Sequence, residues 1–262
     1  MRSGRAVAVL AVVALGAAGC GGGDDAAAST AGASGSGPSG TLTVFAAASL
    51  TDVFTDLGQQ LEEDHDGLSV QFNFAGSSAL ATQLTQGAPA DVFASANGTQ
   101  MSVVTDADLA DGDPTVFTGN VLQIAVPAGN PAGVTGLADF GRDELALAVC
   151  APEVPCGAAG EDVFAAAGVT PRPDTQEEDV RAALTKVELG EVDAALVYAT
   201  DVAAAGDRVE GISFPEAEDA VNDYPLCTLA AAPNPEAARA FVDLVLSDEG
   251  QQALEDAGFR AP

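Results

Sequence analysis

The chain has 262 residues, 39 acidic against 9 basic, a formal net charge of −30 and 47% hydrophobic residues. That length and apolar content suit a globular protein able to bury a core in each of two lobes. The charge removes the basic footprint that nucleic acid or an anionic lipid surface requires. It does not exclude an anionic ligand, because a screening length of about 8 Å at physiological salt isolates a closed cleft from distant surface charge.

Arg2 and Arg5 precede an apolar run from Ala6 to Ala18 that ends in Gly19 and Cys20. A basic start, a short apolar core and small residues at the end form an export signal, too short to span a membrane as a helix. Residues 1–20 therefore read as a signal peptide. From residue 21 to 40 the chain is Gly, Ser, Ala, Thr and Asp with a single Pro, a flexible linker. The fold is expected to begin near Thr41.

Leu42 to Ala46 reads as a short buried strand, and Val53, Phe54, Leu57 and Leu61 then fall at helical spacing within Leu50 to Glu63. The alternation continues with a strand from Leu68 to Phe74, a helix from Ala79 to Gln86, a strand from Asp91 to Ala94 and a helix from about Thr99. Val121 to Val126, Leu145 to Val149 and Ala194 to Tyr198 are further strand-like runs, the last after a helical stretch from Val180 to Leu189. Asn234 to Ala257 closes the chain as one or two amphipathic helices. Strands alternating with helices imply an α/β protein with mostly parallel sheets flanked by helices.

Several of these helices begin at small or polar residues. Ser49 stands between a strand and a helix with Asp52 three residues later, close to a capping box. Ser77 lies in Gly76-Ser77-Ser78, Cys156 in Pro155-Cys156-Gly157, and Asp179 precedes Val180. Helix N-termini leave N–H groups without partners and carry about half a positive charge, so several facing one cleft make a site for a bare anion. Ser49 and Ser77 equally suit plain helix caps. The only lysine, Lys186, follows two turns of helix and lies away from that helix's start.

After Cys20, three cysteines remain, Cys150, Cys156 and Cys227. In an oxidising compartment an odd number leaves one bridge and one free thiol, or a bridge to another chain. Cys150 and Cys156 flank a proline-containing loop and are the first choice. No Cys-x-x-Cys and no paired histidine points to a metal or redox site. His65, in Glu63-Asp64-His65-Asp66-Gly67, reads as a solvated turn residue, and no Gly-x-Ser-x-Gly elbow accompanies it. Asp91 reads as structural.

Six segments, in order from about Thr41 to the end, resemble the molybdate-binding proteins of ABC importers, the ModA family. They are Val44-Phe45-Ala46-Ala47-Ala48-Ser49-Leu50, Phe74-Ala75-Gly76-Ser77-Ser78 and Gly87-Ala88-Pro89-Ala90-Asp91-Val92-Phe93, then Pro152-Glu153-Val154-Pro155-Cys156-Gly157, Glu178-Asp179-Val180-Arg181 and Ala195-Leu196-Val197-Tyr198-Ala199-Thr200-Asp201. The resemblance implies a type II periplasmic-binding-protein fold of two lobes with a ligand cleft between them. Residues 41–121 plus 225–262 would form lobe I and residues 122–224 lobe II. It also implies that molybdate or tungstate is held by Ser49, Ser77, Cys156, Val180 and Tyr198. The two serines and Tyr198 would donate through hydroxyls, and Cys156 and Val180 through backbone N–H. Cys156 departs from the family, where a small residue such as Ala is usual.

The same resemblance implies a binding protein without catalytic residues or resident cofactor, a monomer whose partner is the membrane permease of an ABC importer. Ala17-Ala18-Gly19-Cys20 resembles a bacterial lipobox, which would make Cys20 the lipid-modified first residue of an extracytoplasmic protein; simple secretion is the alternative. A donor-only site disfavours protonated phosphate, which would leave a buried polar group unpaired at about 1–3 kcal/mol. Sulfate, with shorter bonds, would not reach every donor. The alternatives are another oxyanion such as sulfate, or a small organic anion, although only Arg181 could supply the guanidinium clamp that carboxylates commonly use. From a different class, a hydrolase could use Cys156 or Ser49 at a helix start, but no general base accompanies either.

Overall fold

The computed structural model describes residues 37–262. The expected signal peptide, its Cys20 and most of the linker lie outside the described residues.

The first stretch runs β1 (Gly40–Ala47), α1 (Thr51–Asp64), β2 (Leu68–Ala75), α2 (Ser77–Thr85), β3 (Val92–Ala94), α3 (Gly98–Asp106) and β4 (Thr115–Asn120). After Val121 the chain continues through β5 (Leu122–Pro127), β6 (Leu147–Cys150), α4 (Pro155–Ala167), β7 (Thr175–Glu177), α5 (Val180–Glu188), β8 (Ala194–Tyr198), α6 (Ala199–Ala205) and β9 (Val209–Ile212). It ends with β10 (Asn222–Thr228), α7 (Pro235–Leu246) and α8 (Asp248–Asp256). Among these residues no helix is long and apolar enough to cross a membrane.

The strands form two five-stranded sheets, ordered β2-β1-β3-β10-β4 and β7-β6-β8-β5-β9. The α/β architecture is as expected, but the sheets are mixed rather than mostly parallel. β10 runs antiparallel to β3 and β4, and β5 runs antiparallel to β8 and β9. The cause is the route of the chain. A single residue, Val121, carries it from the first sheet into the second, and β10 brings it back, so these strands are not joined to their neighbours by the helical crossovers that parallel pairing needs. The return falls at Asn222 rather than at the expected residue 225, because Asn222 and Tyr224 already pair with Asn120 and Thr118 of β4. Pro225, which has no N–H to give the ladder, sits where the register shifts and breaks the strand pattern in the sequence.

Both faces of the first sheet are covered. On one, Phe54 of α1 meets Phe241 of α7 edge-on at 5.2 Å and Phe117 of β4 at 5.9 Å. On the other, Leu80 and Met101 from α2 and α3 pack against Phe93. The second sheet has its own core, with Phe140, Leu147, Phe164 and Leu196 in one cluster. Each fully buried side chain of this size contributes about 1.5–3 kcal/mol. Side-chain caps fix where helices start: Asn97, Asp179, Asn234 and Ser247 each accept a hydrogen bond from the N–H three residues on.

Asp91 ties three of these elements together. Its carboxylate is buried and accepts from the N–H of Thr43 in β1 at 2.7 Å and from the N–H of Asn234 at the start of α7. Replacing it, Asp91→Ala, leaves two half-buried donors without their partner and is expected to cost about 1–3 kcal/mol, read as a fall in the urea midpoint at unchanged slope.

Candidate functional site

A cavity of about 10 Å³ gathers Ser49, Ser77, Cys156, Val180 and Tyr198 in its wall. That volume is on the scale of one water-sized sphere, far below the several hundred Å³ of pockets for organic ligands. Both sheets supply the wall, each through chain leaving the carboxyl end of a strand, where open α/β sheets place their ligands. Ser49 sits in the tight turn Ala48–Leu50 after β1, and Ser77 is the first residue of α2 after β2. Cys156 lies in the first turn of α4, Val180 opens α5, and Tyr198 ends β8. The first intrahelical bonds of α2, α4 and α5 are made by the N–H groups of Leu80, Ala158 and Ala183. The N–H groups of Ser77, Cys156 and Val180 precede them and have no acceptor within their own helices.

The hydroxyls are turned away from a capping role. Neither Ser49 nor Ser77 caps its helix, which corrects that reading of their positions. Ser49 lies inside the turn before α1, and its Oγ is 2.8 Å from the Oη of Tyr224 on β10. Ser77 lies one residue past the capping position, held by Gly76, and its Oγ accepts from the N–H of Ala96 at 3.0 Å. Tyr198 is buried, and its Oη accepts from Asn222 Nδ2 at 3.0 Å. Burial holds the Tyr198 phenol well above its ordinary pKa, so it stays protonated and able to donate. Among the described residues, no Lys, Arg or His lines the cavity.

The family model for bacterial extracellular solute-binding proteins matches residues 42–260. The chain belongs to that family. ModA, the molybdate-binding protein of Mycobacterium tuberculosis, is 43% identical over 233 residues, covering 87% of this chain and 89% of that protein. Escherichia coli ModA is 33% identical over 235 residues, covering 84% and 89%. The periplasmic molybdate-binding protein of Azotobacter vinelandii has the same fold, with a TM-score of 0.71 at 19% identity over 84% of this chain and 99% of that one.

In this solute-binding protein the residues that could have served a hydrolase are engaged otherwise. Cys156 forms a disulfide with Cys150 across a Cα–Cα distance of 5.7 Å, so it carries no thiol. The loop it closes is tight against α4: a Cβ on Gly157 would lie 1.9 Å from the carbonyl oxygen of Ala151. Cys227 is free and buried beside Met101, its thiol pushed up to about 12 by burial and therefore inert. His65 follows the end of α1 and takes no part in the cavity wall. The hydroxyl of Ser49 has a tyrosine beside it rather than a base.

Arg181, the one candidate clamp for a carboxylate, is occupied by the protein. Its Nη2 pairs with Asp52 of α1, and its Nε lies 3.0 Å from Asp201 Oδ1 at the start of α6. Lys186 pairs with Glu177 and Glu191, at the far end of α5. Tyr224, Asn120 and Asn222 were not legible as site residues, because each reaches the wall only through sheet pairing between distant segments.

Asp201 is fully buried, and its Oδ2 accepts from the N–H of Tyr198 at 3.1 Å. Burial pushes its carboxyl up to about 7; Arg181 and the Tyr198 N–H oppose the rise, and Asp52 and Asp179 add to it. The ordinary value is 3.8, so the folded state binds this proton more tightly than the unfolded state. The stability it contributes is present below about pH 4 and is lost as pH rises to about 7. Asp201→Asn should remove that slope, seen as melting temperatures of parent and variant that converge or diverge between those limits. Parallel curves would rule the titration out.

Proposed function

We propose that this solute-binding protein captures a tetrahedral dianion, molybdate or tungstate, and delivers it to the membrane permease of an ABC importer. The observation that carries the reading is a cavity whose wall brings the hydroxyls of Ser49, Ser77 and Tyr198 together with the first-turn N–H groups of α4 and α5, among apolar residues and without a cationic side chain; Asp179, also on the wall, accepts from the Ala182 N–H. Such a wall suits a small anion that offers acceptors in every direction. The names of the M. tuberculosis and E. coli relatives support molybdate as that anion.

Ser49, Ser77 and Tyr198 donate through their hydroxyls, and Cys156 and Val180 through backbone N–H at the starts of α4 and α5. The partial positive charges of α2, α4 and α5 replace a counter-ion, and they act strongly where water is excluded. The disulfide holds the loop that presents the Cys156 N–H, so the departure from a small residue at that position costs the site nothing. Two lobes, residues 41–121 with 222–262 and residues 122–221, close on the anion about the two crossings between sheets. The body acts as a monomer, and lipid on Cys20 keeps it at the membrane within reach of its permease.

Thermal unfolding of the mature chain with molybdate, tungstate, sulfate and phosphate in turn tests this reading. An anion at a hundred times its dissociation constant stabilises the fold by about 2.7 kcal/mol. Molybdate and tungstate should raise the midpoint, and Ser49→Ala or Ser77→Ala should weaken molybdate binding by about tenfold or more. A folded protein whose midpoint none of these anions moves would sink the reading.

Closure gives a second test. Gly76, at the end of the first sheet's β2, lies so near the second lobe that a Cβ there would sit 2.2 Å from the carbonyl oxygen of Glu178. Gly76→Ala should hold the lobes apart. The expected result is a larger radius of gyration with molybdate present and weaker binding, although no donor has been removed.

A further inference from the structure

Three side chains outside the cavity wall, Asn120, Tyr224 and Asn222, connect to its hydroxyls, and the direction of each hydrogen bond can be worked out. Asn120 Oδ1 accepts from the N–H of Val121 at 2.9 Å, and a backbone N–H can only donate. Its amide is therefore fixed with Nδ2 toward Thr200 Oγ1, at 2.8 Å, and Tyr224 Oη, at 3.5 Å. An amide NH₂ cannot accept, so the Tyr224 proton is left for a neighbouring hydroxyl, and Ser49 Oγ, 2.8 Å away, is the one within hydrogen-bond geometry. The Ser49 proton is then directed into the cavity.

The second chain starts at Asn222. Its Nδ2 lies 2.7 Å from the carbonyl oxygen of Ala96 and 3.5 Å from that of Pro155, groups that can only accept, so this amide too is fixed. The same Nδ2 donates to Tyr198 Oη at 3.0 Å, so the phenol proton is left for another acceptor, and this hydroxyl belongs to a residue of the cavity wall. Ala96, whose carbonyl Asn222 holds, donates its own N–H to Ser77 Oγ and so turns the Ser77 proton inward as well. Each hydroxyl on the wall has a donor behind it.

We propose that Asn120, Tyr224 and Asn222 are specificity-determining residues that fix the hydroxyl protons of Ser49, Ser77 and Tyr198 toward the ligand, so that the site rejects oxyanions carrying a proton. This rests on the oxyanion reading given above. A hydroxyl free to turn could accept from the O–H of hydrogen phosphate; one that already receives a hydrogen bond from behind has one lone pair fewer to offer and is biased toward presenting its own hydrogen. Sulfate and hydrogen phosphate, similar in size and charge but different in protonation, isolate this effect from fit.

Asn222→Asp replaces a donor by an acceptor behind Tyr198, and Tyr224→Phe removes the donor behind Ser49. Affinities of the mature chain and both variants for molybdate, sulfate and hydrogen phosphate, measured by calorimetry or by competition near pH 8, read the outcome. Asn222→Asp should weaken molybdate and sulfate while hydrogen phosphate holds or gains, so that the sulfate-to-phosphate preference falls by about tenfold. Tyr224→Phe should move the preference the same way by a smaller factor, and it alone decides the matter if the aspartate variant does not fold. Loss of all three anions in equal proportion, or an unchanged preference, overturns the relay while leaving the oxyanion reading intact. A parent protein that binds none of them overturns that earlier reading instead.

Discussion

An anion buried without a counter-charge has to be met by hydrogen atoms, and each of its oxygens left facing a lone pair or an apolar wall costs about 1–3 kcal/mol. This requirement accounts for much of the architecture. Strand after strand ends at the cavity and is followed by a helix that begins there, because a helix start is where the backbone has N–H groups to spare. The chain's net charge of −30 can supply no attraction. The positive partial charge available to an anion is local, at the starts of α2, α4 and α5 on the cavity wall.

The two sheets meet this requirement jointly. Ser49 and Ser77 come from the first, Cys156, Val180 and Tyr198 from the second, and neither set would enclose an anion alone. The residues that flank the two crossings take part in the same network. Asn120 ends β4 and reaches Thr200 on α6, while Asn222 opens β10 and reaches Tyr198 on β8. The same two hydrogen bonds thus link the two sheets beside their crossings and lie next to the hydroxyls of the cavity wall.

Much of this could be read from the sequence. Helical spacing in α1 and the apolar runs of β1, β2 and β8 stand out because each buries side chains at its own period. The family resemblance and the pattern of helix starts pointed to the same residues, apart from Tyr198, which the resemblance alone supplied, and all five line one cavity. The hydroxyl geometry was not legible. A serine before a helix has the same local sequence whether its hydroxyl turns back to its own helix or outward, and the partner of Ser49 is Tyr224, 175 positions away. β10 was hidden as well, since Pro225 interrupts its pattern and its pairing depends on a register that only the folded sheet sets. Asn120 and Asn222 look like ordinary turn residues until the crossings bring them behind Tyr224 and Tyr198.

Arg181 shows the same economy from the other side. It follows directly after Val180, which lies on the cavity wall, so a freely moving guanidinium there would be the nearest cation to any ligand in that cavity. Such a group would bind a carboxylate or a phosphate through two parallel hydrogen bonds, and so admit anions that the neutral donors alone would not hold. Asp52 and Asp201 hold it instead, one from α1 and one from the start of α6. Pairing within the protein keeps a charged fork out of the ligand's reach, and the buried Asp201 also accepts from the N–H of Tyr198, linking that restraint to a residue of the wall. With Arg181 drawn to Asp52 and Asp201, what the wall can offer a ligand comes from its hydroxyls and helix-start N–H groups rather than from a cation.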